Sequence, residues 1–384
     1  MFSTLACVEW ETEPCNTLRK RLSEKYNRTN AEDIVVRFDI QRTEELFSGF
    51  DDDNFGRNQG LDKIIGNNKI DIIIGGPPCQ AYSIAGRIRD EHGMKNDYRN
   101  YLFESYVKVV SHFRPQFFVF ENVQGMLSAA PDGELITNKI RRAFNEIEYE
   151  IPTDLRQCVF DVADFGLPQH RKRVIIIGVD AKIYNEFEQT AIFELFYHYI
   201  RMNKRTAMTV EEAIGDLPPI YPLNGMKKEN GHKFSHYPFS ADIPNHVPRF
   251  HNSRDINTFK MLAEDIESGT FEYISTERLK ELYTKLTGKK SNIHKYYVLR
   301  KNEPSNTIPA HLYKDGMRHI HPDSKQARSI TVREAARLQT FDDDYVFTGS
   351  MGAQYKMIGN AVPPKFAEIL SKALAKAINT FYHE

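Results

Sequence analysis

The chain has 384 residues, with 51 Lys and Arg against 52 Asp and Glu, and a formal net charge of -1. It is long enough for two domains, or one large domain with an insertion, and it lacks the overall basic excess that would mark a general polyanion binder, so any nucleic-acid surface must be a local patch. Its four cysteines, Cys7, Cys15, Cys79 and Cys158, form no C-x-x-C pair, which argues for a reducing compartment and against a zinc site or disulfide frame. No apolar run approaches a membrane span and no signal-peptide pattern opens the chain, so the default is a cytoplasmic enzyme or binding protein.

In chain order, Leu5 to Trp10 is predicted as a short strand and Glu13 to Lys25 as a helix with Leu18 and Leu22 on one face. Ile34 to Phe38 is a second strand ending at Asp39, and Asp51 to Gly60 is a loop rich in Asp, Asn and Gly. Ile70 to Ile74 is a β-branched run with one Asp, the pattern of a fully buried parallel strand. It ends at Gly75-Gly76-Pro77-Pro78, which can neither continue a ladder nor start a helix interior. Cys79 follows, on a restricted loop that would pre-aim a nucleophile.

Gly86 to Asn100 is polar and charged with little apolar periodicity and reads as a mobile surface loop. Tyr101 to Phe113 is an amphipathic helix stopped by Arg114-Pro115, and Gln116 to Phe120 is a strand ending in Glu121-Asn122-Val123. Asn138 to Ile147 is a helix, and Cys158 to Val162 and Val174 to Val179 are strands. From about residue 218 to Tyr297 the alternation is lost and the chain turns polar, with scattered His and basic residues. Regularity returns with a capping box at Thr331-Val332-Arg333-Glu334 and a final helix from Phe366 to Phe381.

The strand–helix alternation implies an α/β fold with a doubly wound, mostly parallel sheet, and a second, smaller domain. The expected division is 1–215, 216–325 and a return to the first domain over 326–384. Strand after strand ends in a polar group: Glu9, Asp39, Cys79 and Glu121. In a parallel sheet those ends share one edge, where ligands bind.

Five segments resemble, in order, the motif set of the DNA (cytosine-5) methyltransferases. They are Gly75-Gly76-Pro77-Pro78-Cys79-Gln80-Ala81-Tyr82-Ser83, Phe120-Glu121-Asn122-Val123, Gln169-His170-Arg171-Lys172-Arg173, Ser329 to Gln339, and Gly359-Asn360-Ala361-Val362-Pro363-Pro364. The resemblance spans nearly the whole chain and implies a Rossmann-like methyltransferase with a target-recognition domain. Carbon 5 of cytosine is a poor nucleophile; a thiolate adding at carbon 6 turns the ring into an enamine that can take a methyl group. Cys79 matches the family's nucleophile, Glu121 the group that hydrogen-bonds ring nitrogen 3, and Arg173, with Arg171 beside it, the arginine at the base carbonyl. The target nucleotide must leave the duplex stack, and Gly86 to Asn100 matches the mobile lid.

The resemblance also implies S-adenosyl-L-methionine as methyl donor. Glu9 would hold its ribose hydroxyls, Trp10 would stack on adenine, Asp39 would take the exocyclic amine, and Pro77, Asn360 and Val362 would complete the site. Gln80, Ser83 and Arg87 would contact double-stranded DNA. The recognition region would read base edges in the major groove, its Lys and Arg contacting phosphates. No metal, no membrane and a cytoplasmic, nucleoid-associated location in a bacterial restriction-modification system are implied.

One motif is missing. The family opens with Asp-Leu-Phe-x-Gly-x-Gly-Gly, a strand and glycine loop, whereas here no Gly precedes Glu9. This leaves open a shortened gene product, a catalytically idle DNA-binding relative, and a split enzyme whose partner polypeptide supplies the glycine loop. A tRNA cytosine-5 methyltransferase with the same core is a further alternative. A nicotinamide oxidoreductase is disfavoured, since no G-x-G-x-x-G follows a strand.

Overall fold

The computed structural model describes residues 2–77, 102–131, 133–229, 231–237, 243–292, 294–314 and 316–381. The chain divides into two compact units, one of Met1–Asp161, Lys172–Lys204 and Glu368–Glu384, the other of Val162–Arg171 and Arg205–Ala367. This division differs from the expected one after residue 326, most of which belongs with the second unit, and over Val162–Arg171. Texture in the sequence tracks polarity, whereas the units follow which apolar faces bury each other.

In the first unit, strand β1 (Cys7–Glu9) is followed by helix α1 (Thr12–Tyr26) and, after a single helical turn α2 (Ala31–Ile34), by strand β2 (Val35–Arg37). Helix α1 carries Glu13 in its first turn and Lys25 in its last, both favourable with the helix dipole. It ends at Asn27, whose left-handed φ of 52° lets its N–H reach the Leu22 carbonyl. β1 and β2 pair in parallel, Cys7 opposite Val35 and Glu9 opposite Arg37. Cys15, Leu22, Ala31, Ile34 and Val35 close the core beneath them.

The stretch expected as a loop, Asp51 to Gly60, is instead mostly a hairpin. After helix α3 (Thr43–Ser48), β3 (Phe50–Asp52) pairs antiparallel with β4 (Gly56–Asn58), and α4 (Leu61–Ile65) follows. Asp52 caps the turn by accepting from the Asn54 and Phe55 N–H groups at 2.8 and 3.1 Å. The turn residues were legible; the stacking of Phe50 on Phe38, at 3.8 Å between ring centres, which pins the hairpin down, was not.

Strand β5 (Ile72–Gly75) pairs in parallel with β6 (Phe117–Val123), which follows helix α5 (Leu102–Phe113). Helix α6 (Ile136–Glu146), β7 (Tyr149–Glu150), β8 (Val159–Asp161), β9 (Lys172–Asp180) and helix α7 (Glu186–Met202) complete this unit's main elements. β9 runs antiparallel to β6 across seven paired positions, and β7 and β8 both pair antiparallel with β9. The α/β class holds, while the sheet order β5-β6-β9-β7 is parallel only in its first pair. The expectation of a fully buried β5 does not hold: Ile74 is 69% exposed. β5 lies at one end of its sheet and, among the described residues, pairs on one side only. Phe117, Phe118, Phe120 and the run Val174–Ile177 are the strands that are buried on both faces.

The second unit contains helix α8 (Val210–Ile214), the ribbon β10 (Pro222–Glu229) and β11 (His232–His236), helices α9 (Ser253–Glu267) and α10 (Thr276–Thr287), then α11 (Val332–Leu338) and α12 (Met351–Asn360). A last helix, α13 (Pro364–Phe381), belongs mostly to the first unit, from Glu368 onward. Helices α9 and α10 fall in the polar stretch that sequence periodicity left unassigned. Asn252 caps α9 by accepting from Asp255 N–H, and Ser275 caps α10 by accepting from Arg278 N–H. Phe259, Leu262, Leu279 and Leu282 bury their inner faces. The capping box at Thr331 is present as expected, with Glu334 returning to the Thr331 N–H at 2.7 Å.

Candidate active site

Two carboxyl ends of parallel strands build the first half of the site. Glu121 lies opposite Ile175 and Val123 opposite Arg173 in the β6–β9 ladder, so Glu121 and Arg173 are diagonal neighbours on one face. Arg173 Nε meets Glu121 Oε1 at 2.7 Å, with the two side chains 12% and 18% exposed. β5 ends beside them: a Cβ on Gly76 would sit 2.8 Å from Glu121 Oε2, so the backbone there lies close against the carboxylate. Pro77 follows, half-buried. Cys79, Gln80, Ser83, Arg87 and the Gly86 to Asn100 stretch lie outside the described residues.

The second half lies at the ends of β1 and β2. Glu9 closes β1, and its carbonyl accepts from Phe38 N–H, so Asp39 comes two residues past the neighbouring strand's last pairing, at Arg37. Glu9 Oε1 accepts from Glu11 N–H at 2.9 Å, and Asp39 Oδ1 from Gln41 N–H at 2.9 Å, which orient both carboxylates. Trp10 is 55% exposed and touches Phe55 only edge-on, at 6.0 Å between ring centres, leaving an indole face available. A carboxylate for vicinal hydroxyls, an aromatic face and a second carboxylate for an amine make a donor set that suits an adenosine.

A family model described as C-5 cytosine-specific DNA methylase matches residues 2–376. The chain belongs to that family. A type II methyltransferase, M.Bpa9945I, from Bacillus paralicheniformis is 36% identical over 327 residues, covering 81% of this chain and 71% of that protein. The type II methyltransferase M1.HphI from Haemophilus parahaemolyticus is 29% identical and covers 98% of this chain and 81% of that protein. Among solved structures, an E. coli prophage-encoded protein described as a DNA modification methyltransferase aligns with a TM-score of 0.56 and 25% identity, over 97% of this chain and 92% of that one. The S. pombe Dnmt2 methyltransferase shares the fold, with a TM-score of 0.52 and 13% identity, over 98% and 92%. This is a DNA methyltransferase of the cytosine C-5 family, on a Rossmann-like α/β fold.

Within this methyltransferase, the two arginines of the Gln169 to Arg173 motif part company. Arg173 joins Glu121, whereas Arg171 is 1% exposed and donates to the carbonyls of Ile308, Gly359 and Ala361 at 3.1, 2.8 and 3.0 Å. The two arginines expected to act together therefore face different partners: the guanidinium of Arg171 is spent on main-chain carbonyls and that of Arg173 on the Glu121 carboxylate. Asn360, exposed, and Val362, half-buried, flank that braced turn. Sequence reasoning missed Gln169 and Gln339, both fully buried and bonded to each other. Both lie inside the motifs, and their burial, not their type, is the informative signal.

The cysteines among the described residues suit no thiolate chemistry. Cys7, Cys15 and Cys158 are free thiols. Burial pushes all three up, Cys15 and Cys158 to about 11. Among the described residues, no helix is long and apolar enough to cross a membrane.

Proposed function

We propose that this chain transfers the methyl group of S-adenosyl-L-methionine to carbon 5 of a cytosine flipped out of a specific duplex sequence, with Cys79 as the nucleophile. The observation that carries the reading is the Glu121–Arg173 pair beside Gly76-Pro77, two residues before Cys79 in the chain. The protonation of the other thiols supports it by elimination.

The Cys79 thiolate adds to carbon 6, forming a C–S bond and placing electron density on carbon 5. Glu121 in its protonated form donates to ring nitrogen 3, and Arg173 both orients Glu121 and donates to the base carbonyl, so charge developing on the ring meets fixed polar groups. The donor supplies an electrophilic methyl group. Glu9, Trp10, Asp39, Pro77, Asn360 and Val362 would hold it. Carbon 5 would take that methyl group, the electron pair of the broken S–C bond staying on the donor's sulfur, and loss of the carbon 5 proton to water then expels the thiolate and restores the aromatic ring. Gln80, Ser83 and Arg87 contact the duplex in this reading, and the enzyme works in the bacterial cytoplasm on nucleoid DNA beside a cognate restriction enzyme.

Recognition falls to residues 216–325. The ribbon β10–β11 supports this. Lys228 lies directly opposite Lys233 on an exposed two-stranded ribbon. Like charges facing each other there are unfavourable alone, and a phosphate backbone would offset the repulsion.

A glycine-loop strand from outside these 384 residues, on this polypeptide or on a partner, is part of the proposal. Val8 of β1 and Ile70, just before β5, border one apolar cluster, yet β1 and β5 sit in separate sheets among the described residues. Ile74 is an exposed apolar side chain on an edge strand, the kind of edge that accepts an added strand.

The test is transfer of tritium from labelled donor to unmethylated duplex DNA, by the chain alone and with a polypeptide carrying the glycine loop. The expected result is labelled cytosine in at least one arrangement, lost in Cys79→Ala while duplex binding persists. Transfer that survives Cys79→Ala overturns the nucleophile. No transfer in either arrangement overturns the reaction.

A further inference from the structure

The carbonyls at a helix C-terminus have no partner within the helix and usually turn to water or to a following glycine. At the end of α12 they turn inward instead. Gln339 Nε2 donates to the carbonyls of Ile358 and Ala361 at 2.9 and 2.8 Å. Arg171 donates to Gly359 and Ala361 at 2.8 and 3.0 Å. The carbonyls on both sides of Asn360 are thus held by two buried side chains, while Asn360 itself is exposed.

The brace extends to a second segment. Arg171 also donates to the Ile308 carbonyl at 3.1 Å, and Gln169 Oε1 accepts from Ile308 N–H at 2.9 Å. Gln169 donates to Gln339 Oε1, which fixes the amide that grips the turn. Gly359 lets the two segments touch: a Cβ there would lie 2.4 Å from the backbone of Pro309 and Ala310. A buried guanidinium is costly unless its bonds are satisfied, and the positive charge is favourable at a helix C-terminus. Every one of these bonds to the turn goes to main chain, so it fixes backbone angles, not side-chain identity.

We infer that Arg171 and Gln339 are positioning residues for the methyl donor, acting through the backbone of Gly359–Val362. This rests on the reading above that the donor binds at Asn360 and Val362. Arg171 does not touch the base; it sets where the turn stands. A lysine at 171 would keep the charge but lose the planar fork that spans the carbonyls. Gln339→Met keeps the length and removes both donors.

The experiment uses the chain in whichever arrangement transfers label. Donor affinity by titration calorimetry, KM for donor, kcat and duplex affinity are measured for wild type, Arg171→Lys and Gln339→Met. The expected result is donor Kd and KM raised about tenfold or more in both variants. At saturating donor, kcat and duplex affinity stay within about twofold of wild type, a split that general loosening of the fold would not produce. Variants that fold, by thermal melting, and bind donor as wild type does would overturn the inference. Amide hydrogen exchange on the wild type keeps it falsifiable if the variants do not fold. The Ala361 amide, bonded to the Met357 carbonyl, is expected to be protected before donor is added, and rapid exchange there would overturn the brace. A wild type that transfers no label and binds no donor overturns the functional reading instead.

Discussion

Two arginine–glutamate pairs in this protein have nearly the same contact distance and different tasks. Arg328 and Glu334, in the second unit, meet at 2.6 Å with both side chains 1% exposed. Arg173 and Glu121, in the first, meet at 2.7 Å and keep 12% and 18% of their surface. The buried pair is densely bonded: Arg328 reaches both Glu334 oxygens, the Gln326 amide oxygen and the Ser329 carbonyl, leaving only its Nε without a partner, and Glu334 also accepts from Thr331 N–H. Burial alone would push the Glu334 carboxyl up, but Arg328 more than offsets this and holds it well below the usual carboxylate range. The half-buried pair lies where a strand ends against glycine and proline. The difference teaches that an ion pair is read by its surroundings: full burial in a dense hydrogen-bond network marks architecture, and partial exposure beside Gly76 and Pro77 leaves a pair open to a ligand, as the proposed reaction requires.

The comparison can be broken from either side. Glu334→Ala leaves a buried guanidinium uncompensated and is expected to cost about 3–5 kcal/mol, measured by urea denaturation, with every activity lost alongside the fold. Glu121→Gln is expected to lower turnover about a hundredfold or more while moving the urea midpoint by about 1 kcal/mol or less in stability. A stability loss as large as that of Glu334→Ala would make this pair architectural too.

Acid sharpens the contrast. Burial pushes the imidazoles of His321, 3.6 Å from Glu334, and His236, bonded to the Gln326 carbonyl at 2.9 Å, down to about 4. A histidine depressed in the folded state binds its proton first in the unfolded one, so its stabilisation is complete above about pH 6.5 and declines as pH falls toward about 4. Melting experiments across that range should show a loss of about 1.4 kcal/mol per pH unit for each such histidine. His236→Gln should flatten the slope; an unchanged slope would show that His236 is not the group responsible. The smallest effect expected is that of Arg173→Lys, about tenfold in turnover through loss of the guanidinium fork, read in the tritium assay with duplex binding retained.

Much of this was legible in the chain itself, for reasons that differ by region. Helix α1, strands β1, β2, β6 and β9 and the Thr331 cap declare themselves through local periodicity, turn residues and capping chemistry, which act within a few residues. Motif order pointed to the family, because the chemistry restricts residue type at each position. The hairpin β3–β4 and helices α9 and α10 were missed because their apolar faces are thin and their stability comes from partners distant in sequence, such as Phe38 under Phe50.

What the amino-acid order determined by itself is the reaction class and the strand ends that carry acids, since spacing and residue type are local properties. What only the tertiary structure decided is how each polar group is used. Two arginines separated by one lysine read alike in sequence, yet Arg171 braces a backbone turn and Arg173 accompanies Glu121. β5, apolar enough for a buried strand, has an exposed Ile74. Burial and partnership depend on which distant segments come to lie against a residue, and no local pattern encodes that.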